Sequence, residues 1–308
     1  MAAFYDGNSI FSTSYYEAFH ISHSKRLVKL VISSKENDTS AIEAEIPISY
    51  HLDRVDQREL PLDGSYNPIG DGEGVDIYVL DSGVSYEHEE FENRAKFAQY
   101  DPMDRHLGEN RTGRDCYGHG THVASNAAGR TYGTAKKATV YSVRVLDCEG
   151  FGTWSVILEG LDYAMRVIPT RGRPAVVSIS VTGGYTQSVN DAIQALYKSG
   201  VPVVVAAGNY ASDACPWSPA SAPNAITVAG SAEGDRLYSK TNYGSCIDIF
   251  APGHNVQGAN HMCSDCYQFK SGTSFAAPLV SGAVAILLLQ RQPRLTPAQI
   301  LYQLISLS

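Results

Sequence analysis

Four short segments carry the side chains of this 308-residue chain that are best suited to chemistry. A serine hydroxyl is a weak nucleophile near neutral pH, so it needs a base to remove its proton, and the base needs an orienting carboxylate. Asp81, His119 and Ser274 are of these three types and predict acyl transfer through a serine nucleophile. The segments are Leu80-Asp-Ser-Gly83, Gly118-His-Gly-Thr-His-Val-Ala124, Ala206-Ala-Gly-Asn209 and Ser271-Gly-Thr-Ser-Phe-Ala-Ala-Pro278.

Two hydrogen-bond donors are predicted to stabilise the negative charge that develops during acyl transfer. The attacked carbonyl oxygen becomes negative in the tetrahedral intermediate, and the Asn209 amide and the Ser274 N–H at a helix start are both able to donate to it. The glycines beside His119 are expected to let a substrate backbone approach closely. Taken alone, an Asp or Asn after a strand is commonly a turn or capping residue, and His122 is expected to pack on its helix. Four reactive types at four strand–helix junctions together favour a site.

The pattern between these segments predicts alternating strands and helices from Gly74 onward. Nearly continuous short apolar runs are typical of strands that are covered on both faces, and their alternation with helices predicts a parallel sheet. The expected fold is a three-layer α/β/α sandwich with a mostly parallel central sheet. Predicted strands are Val75–Leu80, Thr139–Val145, Ala175–Val181, Val201–Ala207 and Ala225–Val228; predicted helices are Thr121–Ala128, Trp154–Val167, Ser188–Lys198, Gly272–Gln290 (interrupted by Pro278) and Thr296–Ile305.

Composition excludes several classes of protein. The chain has 24 Lys and Arg against 32 Asp and Glu, a net charge of −8, which provides no electrostatic footprint for nucleic acid. A 44% hydrophobic and 18% charged composition, with 27 Gly and 14 Pro, indicates a turn-rich globule and excludes a disordered tail, a coiled coil or a collagen-like rod. The longest apolar run, Ala283–Leu289, is far shorter than the roughly 20 residues of a membrane span.

The cysteines leave several interpretations open. Cys263-Ser-Asp-Cys266 is a CxxC pair, for which zinc is weakly supported because only His261 lies nearby as a further ligand. A redox motif lacks a thioredoxin-like context, so a short-loop disulfide is favoured.

Residues 1–9 have neither the basic start nor the apolar stretch of a signal peptide. The residues therefore do not decide between export and an intracellular location.

In residue types, order and spacing, the four segments closely resemble the subtilisin-like serine proteases, and among these the proteinase K group. The Asp…His…Ser order is that of subtilisin. The resemblance runs from about Tyr50 to Ile305 and includes the stretches 142–147 and 218–223. It implies an endopeptidase that cleaves polypeptides through an acyl-enzyme, without a cofactor for catalysis.

The resemblance implies a role for each matching position. Asp81 would orient His119, which would act as general base and then general acid, with Ser274 as nucleophile and Asn209 as oxyanion donor. Gly150-Phe-Gly152 resembles an edge strand that pairs with an extended peptide, with Trp154 beside the more distant pockets. The opposing strand would be Ser180, Val181, Thr182 and Gly183. Thr182 stands where the family has a glycine, which would narrow the primary specificity pocket.

Disulfides and a metal site are also implied by the resemblance. A secreted, self-inhibited relative of the proprotein convertase type pairs cysteines placed like Cys116–Cys148, Cys215–Cys246 and Cys263–Cys266. The family's structural calcium site corresponds to the carbonyls of Pro223 and Ala225 and the carboxylate of Asp248, and oxygen ligands suit that hard cation. The resemblance therefore favours an extracellular, monomeric protein despite the missing signal peptide.

Residues 1–50 differ in character from the rest and are expected to form an N-terminal extension, a degenerate or partial prosegment with one strand at Leu27–Ile32. Residues 51–308 would be the catalytic domain. The prosegment is one expected partner, as an inhibitor. Two alternatives to an active endopeptidase remain at this point: a binding protein built on a protease scaffold with a blocked cleft, and a damaged or truncated gene product that folds slowly without its prosegment.

Overall fold

The computed structural model describes residues 48–290 and 294–308. Within these ranges the helices are α1 (Tyr50–Val55), α2 (Pro102–Leu107), α3 (His119–Ala128), α4 (Trp154–Arg171), α5 (Gln187–Lys198), α6 (Thr273–Leu287) and α7 (Pro297–Leu307). The strands are β1 (Asp76–Asp81), β2 (Ala95–Phe97), β3 (Thr139–Arg144), β4 (Ala175–Ile179), β5 (Gly183–Gly184), β6 (Val203–Ala206), β7 (Trp217–Ser218), β8 (Ile226–Ala232), β9 (Arg236–Leu237), β10 (Ile249–Pro252), β11 (Val256–Ala259) and β12 (Tyr267–Lys270).

A parallel sheet forms the middle layer. Its strand order is β10-β8-β6-β4-β1-β3-β2, all six pairings along it are parallel, and the short β9 adds antiparallel to β8. Two small antiparallel pairs, β11–β12 and β5–β7, lie outside it. The predicted three-layer α/β/α sandwich with a mostly parallel sheet is confirmed.

Both faces of the sheet are covered by helices. Since successive strand side chains point to opposite faces, Ile77 and Val79 of β1 join the apolar cluster with α3 and α6, whereas Tyr78 and Leu80 join the cluster with α4 and α5. All six residues of β1 are buried. Burial on both sides explains why the strands appear in the sequence as nearly continuous apolar runs.

Each predicted strand and helix within the described ranges corresponds to an element of the structure, with ends displaced by no more than a few residues. The pattern missed the short α1 and α2, the edge strands β2 and β10, and the β11–β12 hairpin, because segments this short carry little periodicity. The predicted strand Leu27–Ile32 and most of the predicted extension lie outside the described residues. No helix in the described ranges is both long enough and apolar enough to cross a membrane.

A fully buried arginine anchors the loop that precedes α3. Arg144, the last residue of β3, places its Nε 3.0 Å from Asp101 Oδ2 and its Nη2 2.7 Å from Asp104 Oδ1 and 2.9 Å from Glu109 Oε2. A buried guanidinium needs several carboxylate partners, because the free-energy cost of removing its charge from water otherwise exceeds the attraction between the charges. The network connects the 101–109 segment to the sheet beside β1.

We expect acid to destabilise the native state, because a histidine is buried near the beginning of the described residues. His51 is fully buried; its Nδ1 lies 2.7 Å from Ser49 Oγ and its Nε2 lies 3.2 Å from Tyr132 O. Burial lowers the pKa of His51 from 6.5 to about 4. The unfolded chain therefore binds a proton at higher pH than the native state, and the stabilising contribution present above pH 6.5 is lost as the pH falls towards 4.

We expect the free energy of unfolding to fall by about 1.4 kcal/mol per pH unit through His51 in this window, ~3 kcal/mol in all. Replacing His51 with Gln removes that proton uptake, so the decline between pH 6.5 and 4 becomes shallower in urea titrations. His106→Gln, at an exposed position, is the control and keeps the parent slope. Identical pH profiles for His51→Gln and the parent would show that His51 does not carry the effect.

Candidate active site

A buried hydrogen bond joins the first two predicted residues. Asp81 ends β1 and His119 begins α3, and His119 Nδ1 lies 2.7 Å from Asp81 Oδ1 with both side chains almost wholly inaccessible to solvent. Because the acceptor is a carboxylate, the proton of a neutral imidazole belongs on Nδ1. His119 Nε2 is buried and has no hydrogen-bond partner among the described residues. This nitrogen is therefore free to accept a proton.

Asp115, which the sequence interpretation missed, holds the beginning of α3 in place. Its Oδ1 accepts the Gly118 N–H at 2.8 Å, and its Oδ2 accepts the Thr121 N–H at 2.9 Å. Ser82 Oγ donates to Asp115 Oδ1 and accepts the Gly120 N–H, both at 2.9 Å. An acidic residue shortly before a predicted helix is a capping signal that points to this role.

The glycines beside His119 are required by close contacts within the protein. A Cβ at Gly120 would lie 2.3 Å from Gly83 O, and one at Gly118, where φ is +90°, would lie 2.1 Å from His261 Nδ1. These contacts are within the protein; the expectation that the two glycines also let a substrate backbone approach closely stays a prediction. They allow α3 to pack against the Asp81 loop and the β11–β12 hairpin.

Ser274 is the second residue of α6 and is linked reciprocally to the end of β4. Its Oγ donates to Ser180 O at 3.1 Å, and Ser180 Oγ donates to Ser274 O at 2.9 Å. Pro278 has no N–H with which to bond the Ser274 carbonyl four residues earlier, and Ser180 supplies the missing donor. The helix therefore continues through Pro278, where the sequence predicts an interruption.

The ring of His119 lies near the beginning of α6, which carries Ser274. The His119 ring centroid lies 5.3 Å from that of Phe275, the residue after Ser274. No hydrogen bond joins Ser274 Oγ to His119 in the described part of the chain, because the hydroxyl is turned towards Ser180 O. The His122 ring centroid lies 4.6 Å from that of Phe275, and burial lowers the pKa of His122 to about 3, in agreement with the packing role expected for it.

Asn209 follows β6 and faces the N-terminus of α6. Its Oδ1 accepts the Thr273 N–H at 2.9 Å, which leaves its NH₂ group to point elsewhere. The Ser274 N–H belongs to the first turn of the helix, whose N–H groups have no partner within the helix. Two donors of the predicted types therefore lie at one helix N-terminus, where the helix dipole also favours negative charge.

The segments predicted to bind a peptide flank this site. Ser180, Val181 and Thr182 follow β4 and are nearly buried, and Gly183 belongs to β5. Residues 150–152 form a loop after β3, not the predicted edge strand, and Asp147 N donates to Phe151 O at 2.8 Å. Trp154 begins α4 and packs, partly buried, on the apolar cluster beneath it.

The six cysteines form Cys116–Cys148, Cys215–Cys246 and Cys263–Cys266, the pairs that the resemblance implies. The first pair connects the segment before His119 to the loop before Gly150. Lys270, also missed in the sequence, donates from Nζ to Gly118 O at 3.0 Å, and burial lowers its pKa. The segment that precedes His119 is thus connected by a disulfide to the segment before residues 150–152, and by a hydrogen bond to β12.

The residues of the implied calcium site lie at the beginning of β8 and just before β10. Asp248 Oδ2 accepts the Thr227 N–H at 2.8 Å, two residues beyond Ala225. Pro223 is exposed and precedes the strand by three residues. Carbonyl and carboxylate oxygens on neighbouring segments are the donor chemistry of a hard cation, so the residues present fit calcium.

Comparison with known proteins identifies relatives over most of the chain. The model of the subtilase family matches residues 72–307. An extracellular serine proteinase of Thermus sp. (strain Rt41A) is 42% identical over 265 residues, 86% of this chain and 62% of the relative. An alkaline serine exoprotease A of Vibrio alginolyticus is 40% identical over 270 residues, 88% of this chain and 47% of the relative. The chain therefore spans only about half to three fifths of the length of these relatives.

Solved structures show the same fold. A cold-adapted subtilisin-like serine proteinase superposes with a TM-score of 0.78 at 41% sequence identity, covering 85% of this chain and 92% of that structure. A protease from Pseudoalteromonas arctica gives a TM-score of 0.67 at 30% identity, covering 77% of this chain and 84% of the other.

Proposed function

This chain belongs to the subtilase family, and we propose that it is a serine endopeptidase that hydrolyses peptide bonds through Asp81, His119 and Ser274. The observation that carries the proposal is the buried 2.7 Å hydrogen bond from His119 to Asp81, which leaves Nε2, near the beginning of α6, without a hydrogen-bond partner in residues 48–290 and 294–308. A buried imidazole with one nitrogen bonded to a carboxylate and the other free is the arrangement that a general base requires.

The reaction begins when Ser274 Oγ turns from Ser180 O towards His119 Nε2. His119 takes the hydroxyl proton while the oxygen attacks the substrate carbonyl carbon, and Asp81 stabilises the imidazolium that results. The oxyanion accepts hydrogen bonds from the Asn209 NH₂ group and the Ser274 N–H. His119 then gives the proton to the leaving amine nitrogen as the C–N bond breaks. Water, deprotonated by the same imidazole, hydrolyses the ester to release the acid and restore Ser274.

The proposed substrates are extended polypeptides. A peptide backbone would add as a strand between residues 150–152 and 180–182, and Ser180 in the second segment is hydrogen-bonded to Ser274. Thr182 Cγ2 lies 3.0 Å from the position that a Cβ would take at Gly208, so the threonine side chain is directed to the Asn209 side of this cleft. We expect it to favour small side chains before the scissile bond.

Removing the nucleophile or the orienting carboxylate tests the mechanism. Ser274→Ala is expected to lower kcat on a chromogenic peptide about 10⁶-fold. Asp81→Asn is expected to lower it about 10⁴-fold by fixing the wrong imidazole tautomer. Ser188→Ala, at an exposed position of α5, is the control with unchanged rate. Peptide hydrolysis by purified Ser274→Ala at the parent rate would overturn the assignment.

An accessible cleft is part of the proposal, since a binding protein with a blocked cleft would keep the same triad. A fluorophosphonate probe reacts with an activated serine and needs no knowledge of the substrate. We expect stoichiometric labelling of the folded chain, mapped to Ser274 by mass spectrometry and abolished in Ser274→Ala. A folded parent that stays unlabelled would favour the binding function.

A structural calcium ion at the oxygens of Pro223, Ala225 and Asp248 is a further part of the proposal. A cation at about one hundred times its Kd stabilises the native state by roughly 2.7 kcal/mol. Chelation is therefore expected to lower the Tm of the parent by about 5 to 10 °C, and to change that of Asp248→Asn much less. Asp191→Asn, on the exposed side of α5, should keep the parent response. An unchanged parent Tm would exclude an occupied site.

Secretion is the proposed destination. One relative is named as an extracellular proteinase, and three disulfides are typical of proteins in an oxidising environment. We further propose that the enzyme is a monomer that needs no cofactor for catalysis, because its own residues supply the nucleophile, the base and the oxyanion donors.

A further inference from the structure

We propose that Asn242 is a positioning residue for the oxyanion donor Asn209, an inference that rests on the proposed function. Asn242 lies between β9 and β10, far from Asn209 in the sequence, and is fully buried. Its Nδ2 donates to Ala207 O at 2.9 Å, and its Oδ1 accepts the Tyr210 N–H at 2.8 Å and, more weakly, the Ser212 N–H at 3.4 Å. The main-chain N–H of Asn242 donates to Gly208 O at 3.0 Å.

These contacts surround Asn209 along the chain. Ala207 and Gly208 precede it and Tyr210 follows it, and each is held by Asn242 through a main-chain group. Just beyond the end of β6, the side chain of Asn242 thus supplies main-chain groups with hydrogen bonds of the kind that a neighbouring strand provides within a sheet. The loop backbone is irregular here, and buried main-chain N–H and C=O groups need partners that a regular ladder no longer provides.

Gly208 has to lack a side chain, because the Asn242 amide lies directly against its backbone. Its φ is +101°, and a Cβ on it would lie 2.5 Å from Asn242 Nδ2. Its N–H donates to Thr273 Oγ1 at 3.1 Å. The loop is therefore pressed between Asn242 and the first residue of α6.

Two constraints then fix the donor. The Thr273 N–H orients the Asn209 amide by binding its Oδ1, and Asn242 fixes the backbone from which that amide projects. An oxyanion donor acts only within a narrow distance range, and a misplacement of about 1 Å can cost 10²-fold in rate. Among the described residues the hydrogen bonds of Asn242 go to the neighbours of Asn209 and not to Asn209 itself, so its effect on catalysis would pass through the loop.

The loop has other anchors that should preserve folding when Asn242 is shortened. Ala211 N donates to Lys240 O at 3.0 Å, Tyr243 N to Ser212 O at 3.0 Å and Ala214 N to Tyr243 O at 2.8 Å. These main-chain bonds do not involve the Asn242 side chain. Asn242→Ala is therefore expected to fold with a lower Tm.

The test is a double-mutant cycle on kcat, per active site counted by endpoint fluorophosphonate labelling. Asn209→Ala is expected to lower kcat about 10²- to 10³-fold. Asn242→Ala is expected to lower kcat about 10-fold or more with KM changed less than about twofold, as for an interaction made only in the transition state. In the Asn209→Ala background, Asn242→Ala should change kcat less than about twofold, because the side-chain amide that Asn242 would position is absent.

Controls separate positioning from general destabilisation. Asn126→Ala removes another buried amide, whose Nδ2 donates to Gln257 O at 2.7 Å, and should lower the Tm without the loss of kcat. Asn242→Asp keeps acceptors for the Tyr210 and Ser212 N–H groups but loses the donor to Ala207, and replaces Asn242→Ala in the cycle if that variant does not fold.

The outcomes distinguish this proposal from the one on which it rests. If Asn209→Ala lowers kcat but Asn242→Ala lowers it equally with and without Asn209, or raises only KM, Asn242 does not position the donor. If Asn209→Ala leaves kcat unchanged, or the parent hydrolyses no peptide, the proposed function fails first.

Discussion

The parallel pairing of β6, β4 and β1 is the constraint on which the site depends. Leu80 pairs with Ile179 and Ile179 with Val205, so these neighbouring strands end at nearly the same level. One residue further on lie Asp81 and Ser180, and Asn209 follows the third strand. Residues more than a hundred positions apart in the chain reach one edge of the sheet because parallel strands all point their carboxyl ends the same way.

Helix α6 completes the site by placing its N-terminus against that edge. Ser180 binds both the hydroxyl and the carbonyl of Ser274, and Thr273 binds both Asn209 and the Gly208 N–H. The proline within the helix contributes, because its missing N–H leaves the Ser274 carbonyl open to the sheet. Ser274 is thus held by polar contacts with the strands as well as by the apolar packing of the helix.

Burial gives these polar contacts their strength and also makes them obligatory. Asp81 and His119 are almost inaccessible to solvent, and a buried carboxylate or imidazole without a partner would cost several kcal/mol. The Asp115 and Asn242 contacts answer the same requirement for main-chain groups of irregular loops. Asn242 looks like an ordinary loop residue in the sequence, since its importance lies in the main-chain groups that it satisfies across the fold.

Local pattern and residue order were sufficient to predict the sheet, the main helices and the chemical types at the strand ends. Burial on both faces leaves apolar runs, and a nucleophile, a base and a carboxylate are recognisable one by one. Partnership between distant residues is not written locally. Lys270 and Asn242 act through atoms brought near by folding, and the glycines beside His119 serve contacts with Gly83 and His261 that no spacing rule reveals. Periodicity reports which face of an element is buried, whereas the identity of the neighbour on that face is set when the layers pack.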